Sequence, residues 1–155
     1  MKKNRIMVAL LALVLVLGAA HAVAEEYAVE RENALAAVKV SLPDAVVDYA
    51  VRDRDDGRYE WDIFFTQGSQ LGVCEVLESS NEIRKVKLYE KTEGALLASE
   101  AMARLAEKKG AIIVTDLDLD RDDGRLVYEG EAELDGKRYE FEMKVTGEIV
   151  EWERD

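Results

Sequence analysis

The hexapeptide DRDDGR occurs twice in this chain, at residues 53–58 and again, unchanged, at residues 120–125. A helical pattern rich in small residues precedes each copy, and segments in which apolar and charged residues alternate follow it. Asp and Gly tolerate the backbone angles of tight turns, so each copy predicts a turn between two strands. The chain is therefore predicted to consist of two similar units.

The first predicted unit covers residues 25–91 and opens with a helix over residues 30–40. Ala34, Val38 and Leu42 recur at a spacing of four, which predicts one narrow buried stripe on that helix. Pro43 ends the helix because it cannot continue the hydrogen-bonding pattern. Strand patterns follow over residues 45–52, 59–65, 71–78 and 83–89. The alternation of Trp61 with charged neighbours predicts a half-buried second strand.

The second predicted unit covers residues 92–155. Ser99 is the expected N-cap of its helix, and Gly110 is the expected stop. Asp135 and Gly136 form a strong hairpin signal between two of its strands. The strand patterns cover residues 111–119, 126–134, 139–145 and 149–154. The predicted fold class is α+β, with each unit made of one helix packed on a four-stranded antiparallel meander.

One conflict arises when the two units are aligned through their DRDDGR copies. Leu117 and Leu119 are predicted to face inward in the second unit, but the aligned residues in the first are Ala50 and Arg52. The first unit is predicted to bury the neighbouring residues on the opposite face instead. A slip of one residue exchanges the faces of a strand. Either one copy carries a β-bulge, or the alignment fails there.

Residues 1–24 have the pattern of a signal peptide. Lys2, Lys3 and Arg5 precede an apolar run over residues 6–17, and small residues end at Ala24. The run is too short and wrongly flanked for a typical membrane span, although a retained anchor is the alternative. We expect cleavage before Glu25, no membrane span in the mature chain, and an extracytoplasmic location, either periplasmic or secreted.

The composition excludes several functional classes. The formal net charge of −12 repels nucleic acid and favours cations or basic peptides as partners. The only histidine, His21, lies in the predicted leader, and the only cysteine is Cys74. Serine–histidine and cysteine–histidine catalysis and histidine-ligated zinc are therefore excluded for the mature chain. Cys74 is predicted to be a small buried hydrophobe. No catalytic residue and no cofactor is predicted.

Carboxylates dominate the segment around the second DRDDGR copy. Asp118, Asp120, Asp122 and Glu129 have the spacing of positions 1, 3, 5 and 12 of a calcium-binding EF-hand loop. That loop needs glycine at position 6, where this chain has Asp123, and it needs helical flanks rather than strands. These four residues are the candidate calcium ligands. A solvated acidic edge, or a docking patch for a basic partner, are the alternatives.

Glutamates also alternate along the strand that follows this copy. Glu129, Glu131 and Glu133 share one face of that strand. Paired carboxylates of this kind are what general acid–base catalysis requires. The face is predicted to be exposed and to lack a pocket, so no catalysis is expected from it.

The closing segment YEFEMKVTGEIV, residues 139–150, resembles the end of the PepSY domain, in which a strand ends in a Thr-Gly turn and a short apolar strand follows. The first unit departs from this pattern, because SSNE at residues 79–82 replaces the Thr-Gly-Glu turn. PepSY domains occur in propeptides of thermolysin-type metallopeptidases and in many exported bacterial proteins, and the family has no catalytic residues.

The resemblance implies an exported, non-catalytic binding module made of two PepSY-like units in tandem. Its implied partner is a protein or peptide of the bacterial cell envelope, with inhibition or modulation of an envelope peptidase as the implied role. The alternative function is that of an acidic cation-binding (calcium) protein or a structural envelope protein.

Overall fold

The computed structural model describes residues 27–155, and the predicted leader lies outside that range. These described residues fold into two helices, each followed by a four-stranded antiparallel sheet with strands in sequential order, which confirms the α+β prediction. The elements are α1 (Ala28–Ser41), β1 (Val46–Asp55), β2 (Arg58–Gln67), β3 (Gln70–Leu77), β4 (Ile83–Glu90), α2 (Ala98–Lys109), β5 (Ile113–Asp122), β6 (Arg125–Leu134), β7 (Lys137–Lys144) and β8 (Ile149–Arg154). Over the described range, neither helix has the length and apolar character needed to cross a bilayer.

Both DRDDGR copies form tight hairpin turns, as predicted. Asp56 and Gly57 have φ angles of 48° and 78°, and Asp123 and Gly124 have φ angles of 47° and 78°. Two consecutive residues with positive φ are typical of the two-residue turn whose twist matches that of the flanking strands. The repeated hexapeptide therefore fixes the same hairpin in both units.

Both units also carry a β-bulge at equivalent positions of their first strands. The register shifts between Val47 and Tyr49 in the first unit and between Val114 and Asp116 in the second. The extra residues are therefore Asp48 and Thr115. The expectation that only one copy carries a bulge, or that the alignment fails, is wrong. The two strands agree in register, and the difference in their buried faces has another cause.

That cause is the burial of the first sheet on both faces. Trp61, Ile63 and Phe65 pack under α1 against Ala34 and Val38. On the opposite face, Val51, Phe64, Leu71 and Val73 pack against the second unit. The prediction that β2 is half-buried is therefore wrong, since every residue from 60 to 65 is buried.

The two units share a continuous hydrophobic core. Phe64 of the first sheet lies edge-on to Tyr128 of the second, with ring centroids 6.2 Å apart. The Tyr128 hydroxyl donates a hydrogen bond to the Leu96 carbonyl at 3.0 Å, which satisfies the polar end of a buried side chain. Helix α2 completes this core with Met102 and Leu105.

The first turn of α2 is capped by a residue of the other unit. Ser99 is not the N-cap, which is Leu97, and the Glu100 side chain accepts the Leu97 N–H at 2.9 Å. The Asp48 carboxylate accepts the Ser99 N–H at 2.8 Å and the Ser99 hydroxyl at 2.6 Å. The first N–H groups of a helix lack intrahelical partners and favour negative charge. The bulge residue of β1 therefore stabilises the second helix.

Replacing Asp48 should destabilise the protein through loss of this cap. We expect Asp48→Ala to lower the free energy of unfolding by about 1 kcal/mol, the usual value for an N-cap side chain. Asp44→Ala is the matched control, because Asp44 is exposed. Urea unfolding followed by circular dichroism measures both. Equal stabilities of the two variants would contradict the cap.

Candidate functional site

A carboxylate-lined cleft of about 490 Å³ lies between the two sheets. Acidic residues make up twelve of its fifteen lining residues, none of which is basic. The acidic residues are Asp53, Asp55, Glu60, Asp62, Glu75, Asp116, Asp118, Glu129, Glu131, Glu140, Glu142 and Glu151. Repulsion among so many like charges makes the cleft a strong attractor for a cation or a cationic side chain.

The wall of the cleft from the first unit is the continuation of an apolar face. Successive side chains of a strand point to opposite faces, so Glu60, Asp62 and Phe64 of β2 lie on the same face. Phe64 belongs to the shared core, whereas Glu60 and Asp62 line the cleft. The face therefore changes from apolar to acidic within one strand.

Strand β5 separates the shared core from the cleft. Leu117 and Leu119 belong to the core, and Asp116 and Asp118 line the cleft. A Cβ on Gly130 would lie only 2.1 Å from the Asp116 carbonyl oxygen, so β6 approaches the bulged strand closely only because residue 130 is glycine. Bulges commonly re-aim a side chain, and this bulge directly precedes Asp116.

Three aspartates from three strands of both units meet in the cleft. One carboxylate oxygen each from Asp53, Asp62 and Asp116 lies within 4.8 Å of the others. Asp62 is only 7% exposed. Burial, followed by repulsion from Asp116, raises the pKa of Asp62 to about 9. Burial and repulsion from Asp53 raise the pKa of Asp116 to about 6. The site therefore favours protonation in the absence of another cation.

Glu60 adds a further buried carboxylate next to this group. It is 5% exposed, and its Oε2 atom is buried without a hydrogen-bond partner. The nearest basic group is Arg84, with 3.9 Å between Nη1 and Oε2. Burial and repulsion from Glu75 raise the pKa of Glu60. A buried carboxylate without a hydrogen bond costs folding free energy unless a ligand or a proton neutralises it.

The structure brings together three of the four candidate calcium ligands. Oxygens of Asp118, Asp120 and Glu129 lie within 4.8 Å of one another. Asp122 lies outside this group, is exposed, and pairs with Arg125 at 3.6 Å. The hairpin turn replaces the loop geometry that an EF-hand needs, so a calcium site on these four residues stays a prediction.

A lysine of the first unit already neutralises this second group. Lys87 of β4 donates hydrogen bonds to Asp118 and, at 2.9 Å, to Asp120. Burial lowers the pKa of Lys87, but these two bonds outweigh it and hold the pKa above its ordinary value. The bond from Lys87 lowers the pKa of Asp120 to about 2. Lys87 therefore competes with any metal ion for these carboxylates.

The environment of the glutamates on β6 differs from the prediction. Glu129 and Glu131 are half-buried in the cleft, whereas Glu133 is exposed. The expectation of an exposed face without a pocket is therefore wrong for the first two residues. Sequence reasoning also missed Asp53 and Asp62. The sequence feature that could have revealed them is the succession of Glu60, Asp62 and Phe64 on one face of a strand. That succession is typical neither of a solvated face nor of an apolar one.

Cys74 takes no part in the cleft. Its side chain is buried in the apolar cluster under α1, which confirms that it acts as a small hydrophobe. Burial, followed by repulsion from Asp62, raises the pKa of the Cys74 thiol to about 12. A thiol with that pKa is a poor nucleophile, because the thiolate is the reactive form. The chemistry that the cleft offers is therefore proton donation and cation binding by carboxylates.

Comparison with known proteins finds a family match within the second unit. Residues 95–153 match the family model described as "PepSY: Peptidase propeptide and YPEB domain". A solved structure described as a candidate lipoprotein from Clostridium difficile 630 is 14% identical, with 79% of this chain and 90% of that chain covered and a TM-score of 0.44. No curated protein matches the chain at a significant level.

The buried Asp62 predicts a stability that falls as pH rises. Its ordinary pKa is 3.8, and its pKa in the folded protein is about 9. The folded state therefore holds the proton more tightly than the unfolded state does. The stabilisation that this bound proton gives to the folded state is complete below pH 3.8 and is lost progressively as pH rises towards 9. Relative to Asp62→Asn, the wild type should lose roughly 1–3 kcal/mol of stability between about pH 5 and about pH 8.

Urea unfolding in EDTA at several pH values measures this difference with no metal ion bound. Asp135→Asn is the matched control, because it removes the same charge from an exposed turn and asparagine tolerates the positive φ of 52°. Parallel stability curves for the wild type and Asp62→Asn would show that Asp62 does not titrate abnormally.

Proposed function

We propose, from the PepSY domain that the second unit carries, that the chain is an exported, non-catalytic binding module. It consists of two PepSY-like units, residues 25–91 and 92–155, and acts in an extracytoplasmic compartment. Its binding surface is the acidic cleft between the units, and its ligand is a lysine- or arginine-rich segment of a protein or peptide. The supporting observation is a cleft with twelve acidic lining residues and no basic one.

The charge of the cleft favours a basic polypeptide over other partners. Concave surfaces lined by charges of one sign concentrate the electric field and raise the local concentration of the opposite charge. Nucleic acids and anionic lipid surfaces carry the same sign as the cleft and are repelled. Burial, followed by repulsion from neighbouring carboxylates, raises the pKa of Asp62, Asp116 and Glu129, and a lysine or arginine side chain would lower these pKa values. Binding is therefore expected to release protons.

An envelope peptidase is the proposed partner. The family description joins the domain to peptidase propeptides, and a propeptide acts by contacting its own peptidase. The described residues contribute no histidine and only one buried thiol, so we assign the chain a binding role without catalysis. In this proposal the cleft docks on a basic surface of the peptidase and slows its cleavage of peptides.

The second candidate function is that of an acidic cation-binding or structural envelope protein. Two groups of three carboxylates have oxygens close enough to share a metal ion. Lys87 occupies one of these groups. The peptide-binding function is the better supported, because it uses the whole cleft.

The cleft predicts tight, salt-sensitive binding of a basic peptide. We expect a lysine-rich decapeptide to bind the mature protein, and the double variant Glu129→Gln with Glu131→Gln to weaken its affinity about tenfold, or ~1.4 kcal/mol. Affinity should fall for every variant as salt rises, because screening shortens the range of the attraction. Fluorescence anisotropy of a labelled peptide gives these affinities.

The matched control is Glu93→Gln with Glu107→Gln, which removes two exposed carboxylates outside the cleft. Equal weakening by both double variants would mean that net charge, and not the cleft, governs binding. Cleavage of a peptide substrate by a thermolysin-type peptidase, with and without the mature protein, then tests the peptidase partner. Peptide binding without any slowing of cleavage would remove the peptidase and leave the binding module.

A further inference from the structure

Asp62 is a buried carboxyl group without a side-chain partner among the described residues. It is 7% exposed, and no side chain among residues 27–155 makes a hydrogen bond or an ion pair with its carboxylate. Its Oδ atoms instead face Asp53 of β1 and Asp116 of β5, with one oxygen from each residue within 4.8 Å of the others. Buried charges in proteins are normally paired or coordinate metal ions. The carboxylate of Asp62 thus has the environment of a ligand atom.

The basic side chains around this group are engaged elsewhere. Arg52 donates to both carboxylate oxygens of Glu78, at 2.6 and 2.8 Å. Arg138 lies 3.6 Å from Glu131, and Lys87 pairs with the other acidic group. The group of three aspartates therefore differs from the group around Lys87, in which the protein supplies its own cation. Among residues 27–155, no lysine or arginine pairs with Asp53, Asp62 or Asp116, so only a proton or a cation from solution can neutralise the first group.

The donor atoms of this group suit a hard divalent cation such as calcium. Calcium takes six to eight oxygen ligands at roughly 2.3–2.6 Å. The three carboxylate oxygens lie within 4.8 Å of one another, so a single ion of this kind can contact all three. The cleft of about 490 Å³ has room for the waters that would complete the coordination shell. Glu60, with Oε2 buried and without a hydrogen bond, lines the same cleft.

We propose that Asp53, Asp62 and Asp116 bind a calcium ion that joins the first sheet to strand β5 of the second unit. Two ligands belong to the first unit and one to the second, so the bound ion would hold the units together at the acidic end of their interface. The shared core already holds them at the apolar end. The calcium site rests on the second candidate function, cation binding, and not on peptide binding.

Isothermal titration calorimetry with calcium chloride tests the site on the mature protein freed of metal by EDTA. We expect one saturable site in the wild type, at least tenfold weaker in Asp62→Asn and in Asp53→Asn. The double variant Asp118→Asn with Asp120→Asn should keep the wild-type affinity, since it changes only the group around Lys87. The midpoint of thermal unfolding should rise with calcium in the wild type, and not with sodium chloride of equal ionic strength.

Circular dichroism establishes that each variant is folded. If Asp62→Asn does not fold, Asp53→Asn tests the calcium site instead, because Asp53 is only half-buried. Weak, unsaturable heat in the wild type would overturn the proposal and would mean that a proton neutralises Asp62. Saturable binding lost only in the Asp118 and Asp120 double variant would also overturn it, because calcium would then displace Lys87. Fluorescence anisotropy repeated in EDTA measures peptide binding without calcium, so neither result would decide the peptide-binding proposal.

Discussion

The burial of the first sheet on both faces is the constraint on which the rest of the structure depends. One face is covered by α1, and the other by the second unit, so β2 is buried from residue 60 to residue 65. The contact of Phe64 with Tyr128 fixes the position of the second unit against this sheet. Large buried aromatic side chains contribute much of the energy of such interfaces. The relative placement of the units, and with it the shape of the cleft, follows from that contact.

The same sheet face ends in carboxylates because the second unit covers only part of it. Beyond Phe64, the face continues into Asp62 and Glu60, opposite an acidic face of the second sheet. Apolar packing therefore holds together surfaces whose charges repel one another. The free energy of that repulsion is stored in the folded protein, and a cation or a basic side chain releases it on binding. Stability and ligand binding are thus two consequences of one arrangement.

Local features could be predicted from the sequence, and contacts between the units could not. The hairpin turn at each DRDDGR copy depends on Asp and Gly residues that are close together in the sequence. The buried stripe of α1 likewise depends on Ala34 and Val38, which are four positions apart. The cap of α2 depends on Asp48, which is separated by 51 positions from Ser99. No pattern within one helix can reveal a cap of that kind. The calcium candidates were likewise chosen by spacing along the chain, whereas Asp53, Asp62 and Asp116 meet only through the fold.

The equivalent bulges show how alike the two units are, and their surroundings show that they cannot exchange places. Asp48 at the first bulge reaches a helix that follows it in the chain, and no helix follows Thr115 at the second bulge within residues 27–155. The apolar face of the first sheet matches the second unit, while the corresponding face of the second sheet is acidic. Only the apolar face of the first sheet can cover the second unit, because the corresponding face of the second sheet would place carboxylates against a hydrophobic surface. The surfaces therefore determine which unit covers the other, whatever the order of the two units along the chain.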